Sequence, residues 1–367
     1  MSEIKVNSIK GVGASAAAIT VNNSDGTCTA NITNKPNRNL IINGAMQVAQ
    51  RGTSSTSSGY QTVDRFRGDW SGVDNAPTQA QGDVASGTTP YTEGFRKAFK
   101  ITNGNQTSGA GSGDFIGIDT ILEAQDIANS GWNYVSSSSN ITLSFWVKSS
   151  IAQNFYGYLI SLDGTNQNYP FETGSLTADT WTKITKTIPG NSNLTFNNDN
   201  GSGLQIQLWA FLGTTYTDSS VSLNQWAAFA SGTRTPDNTS TWYTTNDATF
   251  EITGVQLEVG SVATDFEHRS FGQELELCSR YHQEIYVGGQ ATMEGINDAM
   301  TINGSLRTAM RASPTGSAKS VTTNTNVNSS YPPSLFLSEP SGVAIRGIAA
   351  GGGLLHYQAL WAFSSEL

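Results

Sequence analysis

Charge is what this chain has least of. Asp, Glu, Lys and Arg together make up 13% of its 367 residues, about half of the roughly 25% usual in globular proteins. The polar surface must therefore come from Ser, Thr, Asn, Gln and Gly, which is the chemistry of a hydrogen-bonding surface. What charge there is leans acidic, with a net charge of −9 and a pI near 4.8. No run of Lys or Arg contradicts this balance, which excludes a phosphate backbone or an anionic lipid surface as partner. Cysteine is nearly absent: Cys28 and Cys278 stand far apart, so a disulfide framework is excluded and both read as isolated, buried small hydrophobes. No apolar run approaches the ~18 residues that a membrane span requires, and Met1 to Lys10 lack the pattern of a signal peptide. The expectation is a soluble chain that is not exported through the general secretory route.

Catalytic signals are as sparse. The three histidines, His268, His282 and His356, have no neighbour at metal-ligand spacing, and His268 reads as a hydrogen-bonding group beside a helix start. There is no nucleophile elbow, no zinc-protease helix motif and no phosphate-cradling loop. Asp114, Asp119, Glu123 and Asp126 cluster in sequence, but acid–base pairing needs geometry, and a structural role is the simpler reading. The oxygens of Asp163-Gly164-Thr165-Asn166-Gln167-Asn168 suit Ca²⁺, yet the spacing departs from an EF-hand loop and reads as a hairpin turn. No catalytic residue, metal or cofactor is expected.

What is there is β structure. Residues 1–37 alternate weakly, with Ile19 and Val21 before a turn at Asn22 to Gly26 and Cys28, Ala30 and Ile32 after it. So thin a hairpin needs a partner surface, either another copy or a docking site. From Asn39 the composition changes: Leu40-Ile41-Ile42 with Met46 and Val48 reads as the first strand of a large domain over 38–269. Further strands are expected near 60–70, 95–102, 114–118, 141–148, 155–162, 181–188, 204–211 and 248–259, separated by Gly, Asn, Ser and Asp clusters. This spacing indicates an antiparallel jelly-roll β-sandwich, with Thr120 to Ala128 as a helix-like interruption. In the last strand Phe250 and Ile252 share one face, and Val255, Leu257 and Val259 take over after Gly254, as at a β-bulge. Ser270 and Gln273 then stand in capping-box spacing before a helix expected over about 271–285, which gives a linking segment at 270–286. Residues 287–367 read as a smaller β domain with strands at Ala299 to Ile302, Leu306 to Met310, Ser334 to Leu337, Val343 to Ile348 and Leu355 to Phe363.

Two strands suggest a binding face. In Ile141 to Lys148 the apolar set Ile141, Leu143, Phe145 and Val147 points inward, which leaves Trp146 outward with Thr142 and Ser144. In Leu204 to Ala210 the same alternation puts Trp209 outward with Gln205 and Gln207. An indole beside amide side chains suits a sugar, whose C–H face stacks on the ring while its hydroxyls bond the amides. The competing reading is that loops or a neighbouring subunit cover these tryptophans.

The segment Arg38 to Gly52, with Val63-Asp64-Arg65-Phe66 after it, resembles the start of a domain found in tail fibres and other virion structural proteins of tailed bacteriophages. Gln256 to Arg269, with its Phe266-Glu267-His268-Arg269 tail, and the helix motif Leu277-Cys278-Ser279-Arg280-Tyr281 are similar to the end of that domain. Met310 to Thr315 looks like the family's C-terminal region, and Ile4 to Lys10 is similar to the starts of fibre proteins from phages of marine bacteria. Leu143 to Lys148 and Trp181 to Thr185 resemble carbohydrate-binding modules of the jelly-roll type. These resemblances imply a non-enzymatic virion protein, a homotrimer docked by residues 1–37 to other tail or capsid proteins, which presents its β domains to host surface polysaccharide. They equally allow a capsid or tail decoration protein without a ligand, and a polysaccharide depolymerase remains an alternative.

Overall fold

A computed structural model describes residues 6–10, 12, 19–21 and 36–367, together with the backbone of residues 28–30. Strands β1 (Ser8–Ile9), β2 (Ile19–Val21) and β3 (Cys28–Ala30) form a small antiparallel sheet in that order. The turn expected at Asn22 to Gly26, Ile32 and the side chain of Cys28 lie outside the described residues.

Beyond Asn39 the chain builds two six-stranded antiparallel sheets. The first runs in the order β14 (Ala227–Ala228), β11 (Gln167–Ser175), β10 (Asn154–Ser161), β13 (Ser202–Leu212), β8 (Phe115–Glu123) and β5 (Arg67–Ser71). The second runs β12 (Thr182–Pro189), β9 (Asn140–Ser149), β15 (Thr249–Val259), β7 (Lys97–Thr102), β6 (Thr78–Asp83) and β4 (Ser54–Ser55). The chain changes sheet from β8 to β9, β9 to β10, β11 to β12 and β12 to β13, the alternation of a jelly-roll sandwich. The inward sets behave as their periodicity requires. Ile141, Leu143, Phe145 and Val147 of β9 and Leu204, Ile206, Leu208 and Ala210 of β13 lie in one buried cluster between the sheets. Each of these side chains apart from Ala210 contributes about 1.5–3 kcal/mol by leaving water.

The closing strand bends where the apolar phase changes. The pairing of β15 with β9 slips between Thr253 and Gln256, and Gly254 sits there at φ +61° with the Phe95 ring 2.7 Å from where a Cβ would stand. A side chain at that position meets both the left-handed backbone and the ring, so the bulge requires glycine.

Several segments fold differently from what their local sequence predicts. Residues 39–50 form no strand, because the Asn43 side chain closes the segment on itself. At φ 60°, Asn43 accepts the Val48 N–H at 3.0 Å and donates to the carbonyls of Val48 and Asp64 at 2.9 Å each. Ile41, Met46 and Val48 are buried all the same. Between Thr120 and Ala128 only Ala124–Ala128 is helical, since β8 continues to Glu123. The capping box at Ser270 and Gln273 is present, but the helix spans only Phe271–Ser279. It stops early because β16 (His282–Met293) pairs along its whole length with β21 (Gly353–Ser364), and each of those residues has a ladder partner that a helix would forfeit.

The remaining strands make two three-stranded sheets. One is ordered β16, β21, β18 (Thr315–Thr325), and the other β17 (Ala299–Ser305), β20 (Gly342–Ile348), β19 (Ser334–Glu339). Val287, Met300, Ile302, Ile345, Tyr357, Trp361 and Phe363 form a second buried cluster between them. The strand expected at Leu306 to Met310 is irregular chain, whereas Thr315–Thr325, with its Ser and Thr run, is a strand that the apolar pattern did not mark. The polar strand Thr78–Asp83 escaped for the same reason, and Gln167–Ser175, whose Tyr169 and Phe171 do alternate into the core, because its start reads as a hairpin turn.

Candidate binding site

The two indoles stand on the faces that alternation assigns them. Trp146 lies outside the main core, with Ala45, Val84, Phe95 and Ala98, and Trp209 lies with Tyr158, Ile160 and Leu212 on the outer face of the first sheet. Neither face is open. Trp146 is 7% exposed, its Nε1 donates to Glu93 Oε2 at 3.0 Å, and Tyr91, Trp181 and Phe266 pack around it. Trp209 is 2% exposed and meets Phe115 edge-on with ring centroids 5.5 Å apart. Tyr216 and Phe229, from the segment after β13, pack against that cluster, and the Arg234 guanidinium lies 4.5 Å from the Tyr216 ring and 5.6 Å from the Phe229 ring. Of the two readings of these tryptophans, the covered one describes the structure: the chain's own loops cover both rings, as apolar area demands when a segment is available to bury it.

Under that cover lies a polar row. Tyr158 of β10 stands opposite Gln207 of β13, which stands opposite Asp119 of β8, which stands opposite Arg67 of β5. Asp119 accepts from Arg67 Nε at 2.6 Å and from Gln205 Nε2 at 2.9 Å. Burial pushes its carboxyl up to about 6, against the pull of Arg67. Gln205 thus braces Asp119, while Gln207 Oε1 and Asn168 Oδ1 are buried without a partner.

The other sequence candidates are committed to packing. Asp114 accepts the Tyr243 hydroxyl at 2.8 Å and the Gly111 N–H at 2.6 Å. Asp163 holds Asn197 by two bonds of 2.9 Å, and the stretch it opens is the turn between β10 and β11. His268 Nε2 lies 2.8 Å from the Glu93 carbonyl, between the rings of Phe95 and Phe266. Cys278 is a buried free thiol that burial pushes well up. Among the described residues no group of His, Cys, Asp and Glu gathers as a metal site, and no helix is long and apolar enough to cross a membrane.

Polar groups from distant parts of the chain do converge where the sandwich meets the C-terminal sheets. The fully buried Glu123 receives Arg280 through Nε at 2.7 Å and Nη2 at 2.8 Å, and the Tyr281 hydroxyl at 2.6 Å. Arg65 is buried with its guanidinium 3.5 Å from the Tyr281 ring and pairs with Glu366. Glu366 also takes Arg51 Nη2 at 2.8 Å. Arg51 is positioned by the loop that Asn43 organises. Its neighbour Gln50 is held to Asp64 through the backbone at 3.0 Å and the side chain at 2.6 Å. Burial pushes Asp64 up to about 6, with Arg51 opposing.

Beside this network is a cavity of about 400 Å³, lined by Arg51, Tyr60 and Gln61 from the sandwich and by His282, Glu284, Thr315, Lys319 and Ser364 from the C-terminal sheet. Four polar atoms of its lining residues are covered and without a hydrogen-bond partner: Arg51 Nη1, the Tyr60 hydroxyl and both ring nitrogens of His282. Burial, then the nearby cations Arg51 and Lys319, push His282 down to about 3, so the imidazole is neutral. Lys319 Nζ is held by Glu284 Oε1 at 2.6 Å and the Arg51 carbonyl at 3.0 Å. The volume lies in the range of small-ligand sites, in a depression that is open rather than enclosed. Sequence reasoning missed Tyr60 and His282, since no spacing links them. Arg51 lay inside the Arg38 to Gly52 segment but had no assigned role.

No family model and no curated protein matches the chain. Among solved structures it is similar to the enzymatically active domain of tailspike protein 4 of bacteriophage CBA120, at 10% identity over 62% of this chain with a TM-score of 0.31. It spans 24% of that tailspike chain. It is also similar to the N-terminal cellulose-binding domain of Cellulomonas fimi β-1,4-glucanase C, at 11% identity over 59% of this chain and 99% of that one, with a TM-score of 0.28. The family 11 carbohydrate-binding module of Clostridium thermocellum matches at 11% identity over 59% of this chain and 98% of that one, with a TM-score of 0.25. Likenesses this remote leave the reading of the site to its own geometry.

Proposed function

We propose that this is a non-enzymatic virion structural protein of a tailed phage that recognises glycan through the cavity between its sandwich and its C-terminal sheets. The observation that carries the reading is the set of unpartnered atoms on Arg51, Tyr60 and His282 in an otherwise hydrogen-bonded junction. Buried polar atoms without partners are costly, and a ligand rich in hydroxyls supplies what they lack. The low charge of the chain fits weak, wet contacts with carbohydrate. Asp114, Asp119 and Glu123 are each bound to structural partners, which supports recognition over hydrolysis. The virion setting follows the resemblance of Arg38 to Gly52 and Gln256 to Tyr281 to phage fibre proteins. Trimerisation through residues 1–37 would add avidity to weak sites.

The test is to titrate the purified full-length chain against a panel of bacterial surface polysaccharides and to measure its mass in solution. Binding without release of new reducing ends is expected, together with a trimer. Steady release of reducing ends would make the protein a depolymerase, and a monomer at high concentration would remove the trimer. The covered indoles favour a second reading, a decoration protein without ligand, and absence of binding across the panel would establish it in place of the first.

A further inference from the structure

We infer that the junction cavity is built for a neutral, polyhydroxylated ligand, a mono- or disaccharide unit free of carboxylate, sulfate or phosphate, a specificity that rests on the glycan-binding reading above. The charges in its lining are already matched. Arg51 is paired with Glu366 at 2.8 Å, and Lys319 with Glu284 at 2.6 Å. An anionic ligand would have to break one of these pairs to obtain a cation, and a cationic ligand would face Arg51 and Lys319 with their carboxylates already engaged.

What remains without a hydrogen bond, just behind the cavity wall, is an alternation of donors and acceptors that small side-chain rotations would bring to a ligand. Arg51 Nη1 can only donate, and it lies 3.6 Å from Asp64 Oδ1, too far for a hydrogen bond. The Tyr60 hydroxyl donates and accepts. The neutral His282 ring presents one donor and one acceptor, and its Nε2 is 3.6 Å from Glu284 Oε1. A carboxylate, acceptor only, would satisfy the donors and leave the His282 acceptor nitrogen unmet, whereas neighbouring sugar hydroxyls both give and receive. The cavity of about 400 Å³ lies in the range of roughly 300–1,000 Å³ typical of small-ligand sites. It is closed on one side by the sandwich and on the other by β16, β18 and β21, so only the assembled chain presents the full set.

The experiment uses the full-length chain, with cellobiose, maltose and lactose as neutral probes, glucuronic acid, N-acetylneuraminic acid and glucose 6-sulfate as acidic ones, and neutral and acidic bacterial polysaccharides alongside. Calorimetry and thermal shift are read at low and high salt. A neutral probe or polysaccharide should bind best, with an affinity that salt hardly changes. Tyr60→Phe, which deletes a buried hydroxyl that has no partner in the free protein, should raise Tm while weakening binding roughly 5- to 20-fold. His282→Gln, which keeps a donor and an acceptor, should weaken it less. Tighter binding of the acidic ligands, lost on adding salt, would overturn the neutral class and leave the glycan reading standing. Neutral binding unaltered in both variants would move the sugar elsewhere on the molecule and overturn this site. No binding by any probe or polysaccharide would overturn the glycan reading itself.

Discussion

Among the described residues, buried polar atoms without hydrogen-bond partners lie in two places, and the places differ in what surrounds them. On the outer face of the first sheet, Gln207 and Asn168 lie near Trp209 beneath Tyr216, Phe229 and Arg234, and the cover is the chain's own. At the junction the atoms are covered as well, but the residues that carry them, Arg51, Tyr60 and His282, line a cavity. Strand alternation drew attention to the first place because a tryptophan beside two glutamines is conspicuous in sequence. It is the second, assembled from residues more than two hundred positions apart, that can admit a ligand. An outward side chain is exposed only if no later segment returns to cover it, and the sequence of one strand does not say which segments return.

The sharpest way to break this contrast is Trp209→Ala. Removing a fully packed indole should cost about 3–5 kcal/mol in urea unfolding, with no change in glycan affinity of the folded protein; weakened binding without lost stability would reopen the covered face. Glu123→Ala should cost about 2–4 kcal/mol, because it leaves the buried Tyr281 hydroxyl without its acceptor while Arg280, about a third exposed, turns to water. Its effect should appear as loosening of the C-terminal sheets in hydrogen exchange, and an unchanged exchange pattern would mean that Glu123 does not hold the junction. Gly254→Ala should cost about 2–4 kcal/mol, combining left-handed backbone strain with the Phe95 clash; a neutral result would show that the bulge can migrate.

A smaller effect separates the two places by pH. His282 is depressed from 6.5 to about 3 by burial and the adjoining cations, so the unfolded chain takes up a proton in this window that the folded chain refuses. Its contribution to stability is full above pH 6.5 and falls as pH drops toward 3. Relative to His282→Gln, the wild type should lose about 2 kcal/mol between pH 8 and pH 5. Asp64 and Asp119, raised to about 6, act in the opposite sense, favouring the folded state as pH falls from 6 toward 4, but they are common to both proteins and cancel in the comparison. Parallel pH profiles would show that water reaches His282 and solvates it.

Much of the architecture was legible because β-sheets print their geometry on sequence with a period of two. The inward sets of β9 and β13, the glycine bulge in β15 and the capping box at Ser270 were all readable locally. The helix end was not, since Tyr281 and His282 continue the helical spacing and only their pairing with β21 decides otherwise. Nor were the polar strands Thr78–Asp83 and Thr315–Thr325, whose Ser, Thr and Gln residues carry no apolar alternation. Asn43 shows the converse case: Leu40-Ile41-Ile42 looks like a strand, and one amide side chain turns the segment into a loop that places Arg51.

By itself, then, the sequence determined an antiparallel sandwich of low charge, its inward faces, the bend at Gly254 and the start of a helix, because each depends on neighbours a few residues away. Tertiary structure alone decided that Trp146 and Trp209 are covered, that Glu123 and Glu366 tie the two cores together, and that Arg51, Tyr60 and His282 share one cavity. Those outcomes depend on which distant segments meet, and local periodicity carries no record of that.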